Sequence, residues 1–159
     1  MNISVGISDW KISKPPDVLV TYALGSCVGI CLYDKTKLIG GLSHIMLPDS
    51  KNCGDGLATN RMKFADTAIP DMFGKMLSMG ALRANVTAKI AGGAVMFNVA
   101  TDRFNIGERN VAAVKAALGA LGIRVIAQDV GLNYGRTVFF YPESGAVKIK
   151  STTKGEVGI

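Results

Sequence analysis

Three β-rich apolar runs follow one another almost without a break: "DVLVTYAL" (17–24), "SCVGICLYD" (26–34) and "KLIGGLSHIML" (37–47). Parallel neighbours in a sheet need a crossover of about a dozen residues or more. No such length separates these runs, which argues against a doubly wound parallel sheet. Later in the chain, strands alternate with helices. Met62, Ala65, Ile69, Met72, Phe73 and Met76 recur at helical spacing over 61–79, with Pro70 interrupting the pattern and Gly80 as a stop. "NVTAKIAGG" (85–93) reads as a strand entering a glycine-rich bend, and "GERNVAAVKAALGALG" (107–122) as an amphipathic helix. Strands are expected at 123–130, 136–141 and 146–151, the last two as a hairpin around Pro142–Gly145. The order predicts one mixed α+β domain over residues 1–159, with helices covering sheet surface.

Composition bounds the function. Hydrophobic residues are 48% and charged residues 19% of the chain, an ordinary globular balance. No apolar stretch approaches the roughly 20 residues of a membrane span, so no membrane insertion is expected. The start, Met1-Asn2-Ile3-Ser4, lacks the basic and apolar regions of a signal peptide, which points to the cytoplasm. The net charge of +6 comes from scattered residues with few aromatics among them. That pattern argues against nucleic acid and is compatible with an acidic protein partner.

Cysteine and histidine are scarce enough to be informative: three cysteines, at 27, 31 and 53, and a single histidine, His44. An odd, irregular set does not make a disulfide framework. If 26–34 and 37–47 pair through a short turn at Lys35-Thr36, Cys27 falls directly opposite His44, on the same face of the sheet. A one-residue bulge would move His44 to the other face. The same inventory suggests a Cys3His zinc site, but Cys27 and Cys31 would stand roughly 13 Å apart along a strand, too far for two ligands of one ion. Cys31 reads as a small core residue. Cys27 remains either core filler or a reactive thiol beside a base, and His44 either that base or a core histidine satisfied by a backbone carbonyl. "AGGAVMF" (91–97) lacks the lysine and spacing of a phosphate loop and reads as a tight bend, with Met96 and Phe97 as candidate apolar contacts for a partner.

The strings "LGSCVGICLYD" and "SHIMLPDS", followed in order by "KFADTA", "AKIAGGAVMF", "NIGERNV" and "GRTV", resemble the CheD family of chemoreceptor glutamine deamidases. That resemblance implies a three-layer α/β/β fold with mixed, mainly antiparallel sheets, similar to the catalytic domain of the cytotoxic necrotising factor toxins. It implies a catalytic set of Cys27, His44 and Thr21, with Thr21 orienting His44 by a hydrogen bond. A tight hairpin at Gly25-Ser26 would turn Thr21 away from the thiol, so the chain is expected to turn a corner between layers there. The implied reaction is hydrolysis of receptor glutamine side chains through a cysteine thioester, with glutamyl methyl ester hydrolysis as a side activity. No metal or organic cofactor is implied. The implied partners are the helical cytoplasmic domains of chemoreceptors. A second expected role is binding and activating a CheC-type phosphatase of phosphorylated CheY. In "DVGLNYGR" (129–136), Leu132 stands where the family commonly has glycine.

Overall fold

The computed structural model describes residues 1–51, 60–95 and 105–159; Cys53, Met96 and Phe97 lie outside them. In chain order the elements are β1 (Asn2–Ser4), β2 (Asp9–Ser13), β3 (Val18–Leu24), β4 (Val28–Asp34), β5 (Ile39–Ile45), α1 (Ala65–Ser78), β6 (Val86–Gly92), α2 (Ile106–Ala120), β7 (Arg124–Val130), β8 (Arg136–Tyr141), β9 (Ala146–Ser151) and β10 (Gly155–Gly158). They make two five-stranded sheets. The outer sheet has the order β1-β3-β8-β9-β10 and the central sheet β2-β5-β4-β6-β7. β1–β3 and β6–β7 pair in parallel and the other neighbours antiparallel. The mixed α+β architecture expected from the sequence is present.

Layering follows from the two faces of the central sheet. Val28, Ile30 and Leu32 of β4 pack with Ile69, Met72, Phe73 and Met76 of α1 and with Val114 and Leu118 of α2. On the reverse face, Cys31 and Leu42 pack with Leu19, Leu24, Val138, Phe140 and Ile149 of the outer sheet. β4 and β5 are therefore covered on both sides, which is why their sequences read as continuous apolar runs rather than alternations. Each large side chain so buried contributes about 1.5–3 kcal/mol of transfer free energy. Helix α1 begins at Ala65 and continues through Pro70, which therefore does not end the helical pattern. No helix among the described residues is long and apolar enough to cross a membrane.

Two connections decide where the candidate site residues lie. β3 and β4 belong to different sheets, so the chain does turn a corner at Gly25–Cys27. The corner begins with a bulge between Thr21 and Leu24 and with Ala23 at φ +57°. The β4–β5 turn differs from the expected register. Asp34 faces Ile39 rather than Lys37, and Gly29 rather than Cys27 stands opposite His44. The cause is the buried Asp34 side chain. Its Oδ1 accepts from the Thr36 N–H (2.9 Å), the Thr36 hydroxyl (2.7 Å) and the Lys37 N–H (3.1 Å). Its Oδ2 accepts from the Leu82 N–H at 2.8 Å. These bonds shape a four-residue connection with Leu38 at φ +55°. The register moves by two residues, which keeps Cys27 and His44 on one face.

Burial pushes the Asp34 carboxyl up, but the bonds from Leu82, Thr36 and Lys37 outweigh it and hold the group below its ordinary value. The stability this supplies is present above the ordinary carboxylate range and lost as pH falls through the lower folded-state value. Asp34→Ala is expected to cost about 2–4 kcal/mol, because several buried or turn donors lose their acceptor together. Denaturant titrations from neutral to strongly acidic pH check both statements: the variant should be less stable and should lack this part of the acid-dependent loss.

Candidate active site

Thr21, Cys27 and His44 come from three places in the fold. Thr21, fully buried, lies on β3 of the outer sheet. His44, 1% exposed, lies on β5 of the central sheet. Cys27 is half-buried in the corner, one residue before β4. Thr21 reaches across the space between the sheets, its Oγ1 2.7 Å from His44 Nδ1 and 2.7 Å from the Val5 carbonyl oxygen. Gly29 lies beneath Leu24 and Thr21 of the outer sheet. A Cβ there would lie 3.1 Å from Leu24 Cδ1 and 3.8 Å from Thr21 Cγ2.

The two contacts of Thr21 settle the tautomer of His44. A hydroxyl carries one hydrogen. At 2.7 Å from a carbonyl oxygen, that hydrogen must be donated to Val5, or two acceptors would face each other. The Thr21 oxygen is then an acceptor for His44 Nδ1–H, and the lone pair of the ring is on Nε2. Nε2 is buried and has no hydrogen-bond partner among the described residues. Burial lowers the imidazole pKa to about 4, so the ring is neutral near pH 7.

The corner holding Cys27 is fixed through its carbonyls. Gly93 N–H donates to Cys27 O (2.8 Å) and Ala94 N–H to Gly25 O (2.9 Å). The glycine-rich end of β6 is thus the bend that the sequence implied, and it seats the cysteine. Gly92 has φ +110°, and a Cβ on it would come within 2.3 Å of Cys27 O, so a side chain there would push the corner away. Cys27 lies diagonally from His44 on the same face, about 7–8 Å between Cα positions in an ordinary antiparallel ladder. Burial pushes the Cys27 thiol up, against a smaller opposite effect of its own backbone N–H. Cys31 is buried between the sheets, and burial raises its thiol far more than Lys89 lowers it. It is the inert core residue the sequence suggested.

Two positioning residues escaped the sequence reading. Asn110 of α2 is fully buried and donates through Nδ2 to Ser26 O (2.9 Å) and Met46 O (3.0 Å). It ties the residue before Cys27 to the segment just after His44. Arg136, 1% exposed, pairs with Asp129 Oδ1 at 3.2 Å and donates to Gly131 O (2.9 Å), Tyr134 O (3.4 Å) and Gly92 O (3.5 Å). It anchors the 129–136 loop to the end of β6. Leu132 in that loop has φ +61° and is 60% exposed. A left-handed backbone is where glycine is favoured, and leucine there carries strain. The motifs "NIGERNV" and "GRTV" were the available signals for the two buried residues; neither motif states which backbone atoms they hold.

The sequence profile of the family described as CheD chemotactic sensory transduction matches residues 46–151, well over half of the chain. A protein of Lachnoclostridium phytofermentans named probable chemoreceptor glutamine deamidase CheD is 49% identical over 154 residues, covering 96% of this chain and 94% of its own. Proteins of the same name from Clostridium novyi and Moorella thermoacetica are 48% identical over 155 residues and 49% over 153. They cover 96% and 94% of this chain, and 94% and 90% of their own. The chain belongs to the CheD family. The profile match begins two residues after His44, whereas the relatives align over nearly the whole length and so take in the corner and β5.

The depressed pKa of His44 has a consequence for stability. The unfolded chain takes up a proton on this histidine near its ordinary value of 6.5, and the folded protein only near 4. Stability from this group is therefore present above about pH 6.5 and lost as pH falls toward 4, by roughly 3 kcal/mol in all. His44→Gln should flatten the pH 4–6.5 limb of a denaturant-stability profile, with acidic losses due to carboxylates persisting at lower pH.

Proposed function

We propose that the protein deamidates glutamine side chains of chemoreceptors, with Cys27 as nucleophile, His44 as base and acid, and Thr21 as the residue that orients His44. One observation carries this reading. In a CheD-family chain, the Thr21 hydroxyl bonds Nδ1 of the only histidine and leaves a neutral Nε2 lone pair on the face shared with Cys27. Nucleophilic catalysis asks for a thiol, a base, and a third group fixing the base. The base and the group that fixes it are hydrogen-bonded, while the thiol stands on the same side of the sheet outside hydrogen-bond distance of Nε2 and closes on it when substrate is bound.

Both shifts, the raised thiol and the lowered imidazole, come from burial and favour a neutral resting pair over a thiolate–imidazolium ion pair. Proton transfer then accompanies attack. His44 Nε2 takes the thiol proton as Sγ bonds to the δ-carbon of a substrate glutamine, and the carbonyl oxygen becomes an oxyanion. N–H groups of the corner are the candidate donors for that oxyanion. His44 returns the proton to the nitrogen, the C–N bond breaks, ammonia leaves, and a thioester remains. Water, giving its proton to His44, attacks the thioester. Glutamate is released, and the proton goes back to sulfur. A glutamyl methyl ester passes through the same acyl-enzyme with methanol as leaving group, which makes ester hydrolysis part of the proposal. Every proton is moved by His44, so the cycle calls for no metal or organic cofactor.

The substrate assignment is supported by the relatives' name, chemoreceptor glutamine deamidase. The helical cytoplasmic part of a chemoreceptor implies a cytoplasmic location for this reaction. Each turnover leaves one new negative charge on a receptor helix face, where a like-charge pair shifts the balance by about 0.2–0.5 kcal/mol. The likeness of the helix–sheet–sheet layering to the toxin catalytic domain belongs to the same proposal and rests on the family.

Mass spectrometry of receptor fragments incubated with the protein tests it. Wild type should add the roughly 1 Da of amide-to-acid conversion at particular glutamines, and so should Cys31→Ala, since its thiol is buried. Cys27→Ala should leave the fragments unchanged while keeping wild-type circular dichroism. Equal conversion by wild type and Cys27→Ala defeats the mechanism.

A further inference from the structure

The face of the central sheet that looks at the outer sheet changes character along its length. Near Cys27 it carries Gly29 and Ala91, side by side on β4 and β6. Toward the other end, Cys31 stands beside Lys89, and Tyr33 beside Thr87, which in turn neighbours Arg124 of β7. Facing sheets ordinarily bury apolar residues against each other. An ammonium turned into that space is costly unless it is partnered.

These residues line a cavity of about 290 Å³ under the turn that joins β8 and β9. Lys35, Lys89 and Arg124 line it, and among the described residues the lining includes no Asp or Glu. Among the described residues, none of the three pairs with a carboxylate side chain. Lys89 is half-buried, and its Nζ donates to two backbone oxygens, Gly145 O at 3.1 Å and Ile159 O at 2.7 Å. Thr87 and Asn85 add uncharged polar groups, while Phe140 and Ile126 give the wall an apolar part. Lys89 is held by the Gly145 and Ile159 oxygens, whereas Lys35 and Arg124, both exposed, leave the mouth of the cavity positive, and an anion placed between them is attracted by both.

We propose that this cavity is a binding site for an oxyanion group, phosphate or carboxylate, of a small organic molecule whose apolar part rests on Phe140 and Ile126. Charge comes from Lys35 and Arg124 at the mouth, and orientation from Thr87, Asn85 and the fixed Lys89 ammonium. The cavity runs along β4 from Cys31, roughly 13 Å from Cys27, to Lys35, roughly 25 Å from it, at ordinary strand rise. The site is therefore separate from the candidate active site, and its occupation leaves Cys27 open.

Inorganic phosphate, phenyl phosphate and benzoate, each titrated at constant ionic strength against chloride, are the probes. Calorimetry should show saturable binding, tighter for phenyl phosphate than for inorganic phosphate because only the former covers the apolar wall. Amide NMR shifts should move around residues 85–89 and 124–126 and stay in place around Cys27. The relative strength of phenyl phosphate and benzoate tells which oxyanion the site prefers. Lys35→Gln/Arg124→Gln, two exposed positions whose replacement leaves the core intact, should weaken binding by about tenfold or more. Lys89→Met provides a second variant acting from the half-buried side. Absence of saturable binding by all three probes overturns the proposal, as does unchanged affinity in the folded double variant or a shift pattern centred elsewhere.

Discussion

A single hydroxyl joins the two sheets at the point where chemistry is proposed. Thr21 belongs to one sheet and His44 to the other, and between them stands an oxygen with one hydrogen and two demands on it. The donation to Val5 consumes that hydrogen, so the contact with His44 has only one polarity. Much of the surrounding sequence serves this geometry. Gly29 lies beneath Leu24 and Thr21 of the outer sheet, the bulge after Thr21 carries the chain across, and Asn110 pins both the corner and the end of β5. Packing sets the distance between the sheets, and that distance sets the tautomer.

The two buried thiols show how much the immediate surroundings decide. Cys27 and Cys31 are four residues apart and both have thiols raised by burial. Cys31 is buried beside Leu42 and the outer sheet at the inner wall of the basic cavity, whereas Cys27 stands in a bend with partial access to solvent. The cost of enclosing a neutral histidine is carried by the rest of the core, and it appears as a loss of stability in mild acid.

The strands and helices that bury large apolar faces were legible in the sequence: β3 to β5, α1, β6, α2 and the β8–β9 hairpin lie close to where periodicity put them. β1, β2 and β10 were not. They have three to five residues, stand at sheet edges and alternate too briefly to rise above loop composition. The register of β4 on β5 was misplaced by two residues, because it depends on four hydrogen bonds to one buried aspartate and not on a recognisable turn dipeptide. That error preserved the face, so the expected proximity of Cys27 and His44 changed from directly opposed to diagonal. The partnership of Thr21 and His44 was reached through family resemblance alone. Strand arithmetic pointed Thr21 away, since a corner between sheets leaves little trace in a single sequence beyond a glycine. Asn110 and Arg136 were invisible as clamps, because their partners are backbone carbonyls distant in sequence.

Thr21 holds His44 with its proton on Nδ1 and its lone pair on Nε2. The chain has one histidine, so nitrogen-15 NMR of the imidazole reports on it without ambiguity. At neutral pH a protonated, pyrrole-like signal is expected at Nδ1 and a pyridine-like signal at Nε2, with a mixture of tautomers in Thr21→Val. A proton found on Nε2 in the wild-type protein, or a spectrum indifferent to the loss of the Thr21 hydroxyl, would contradict it.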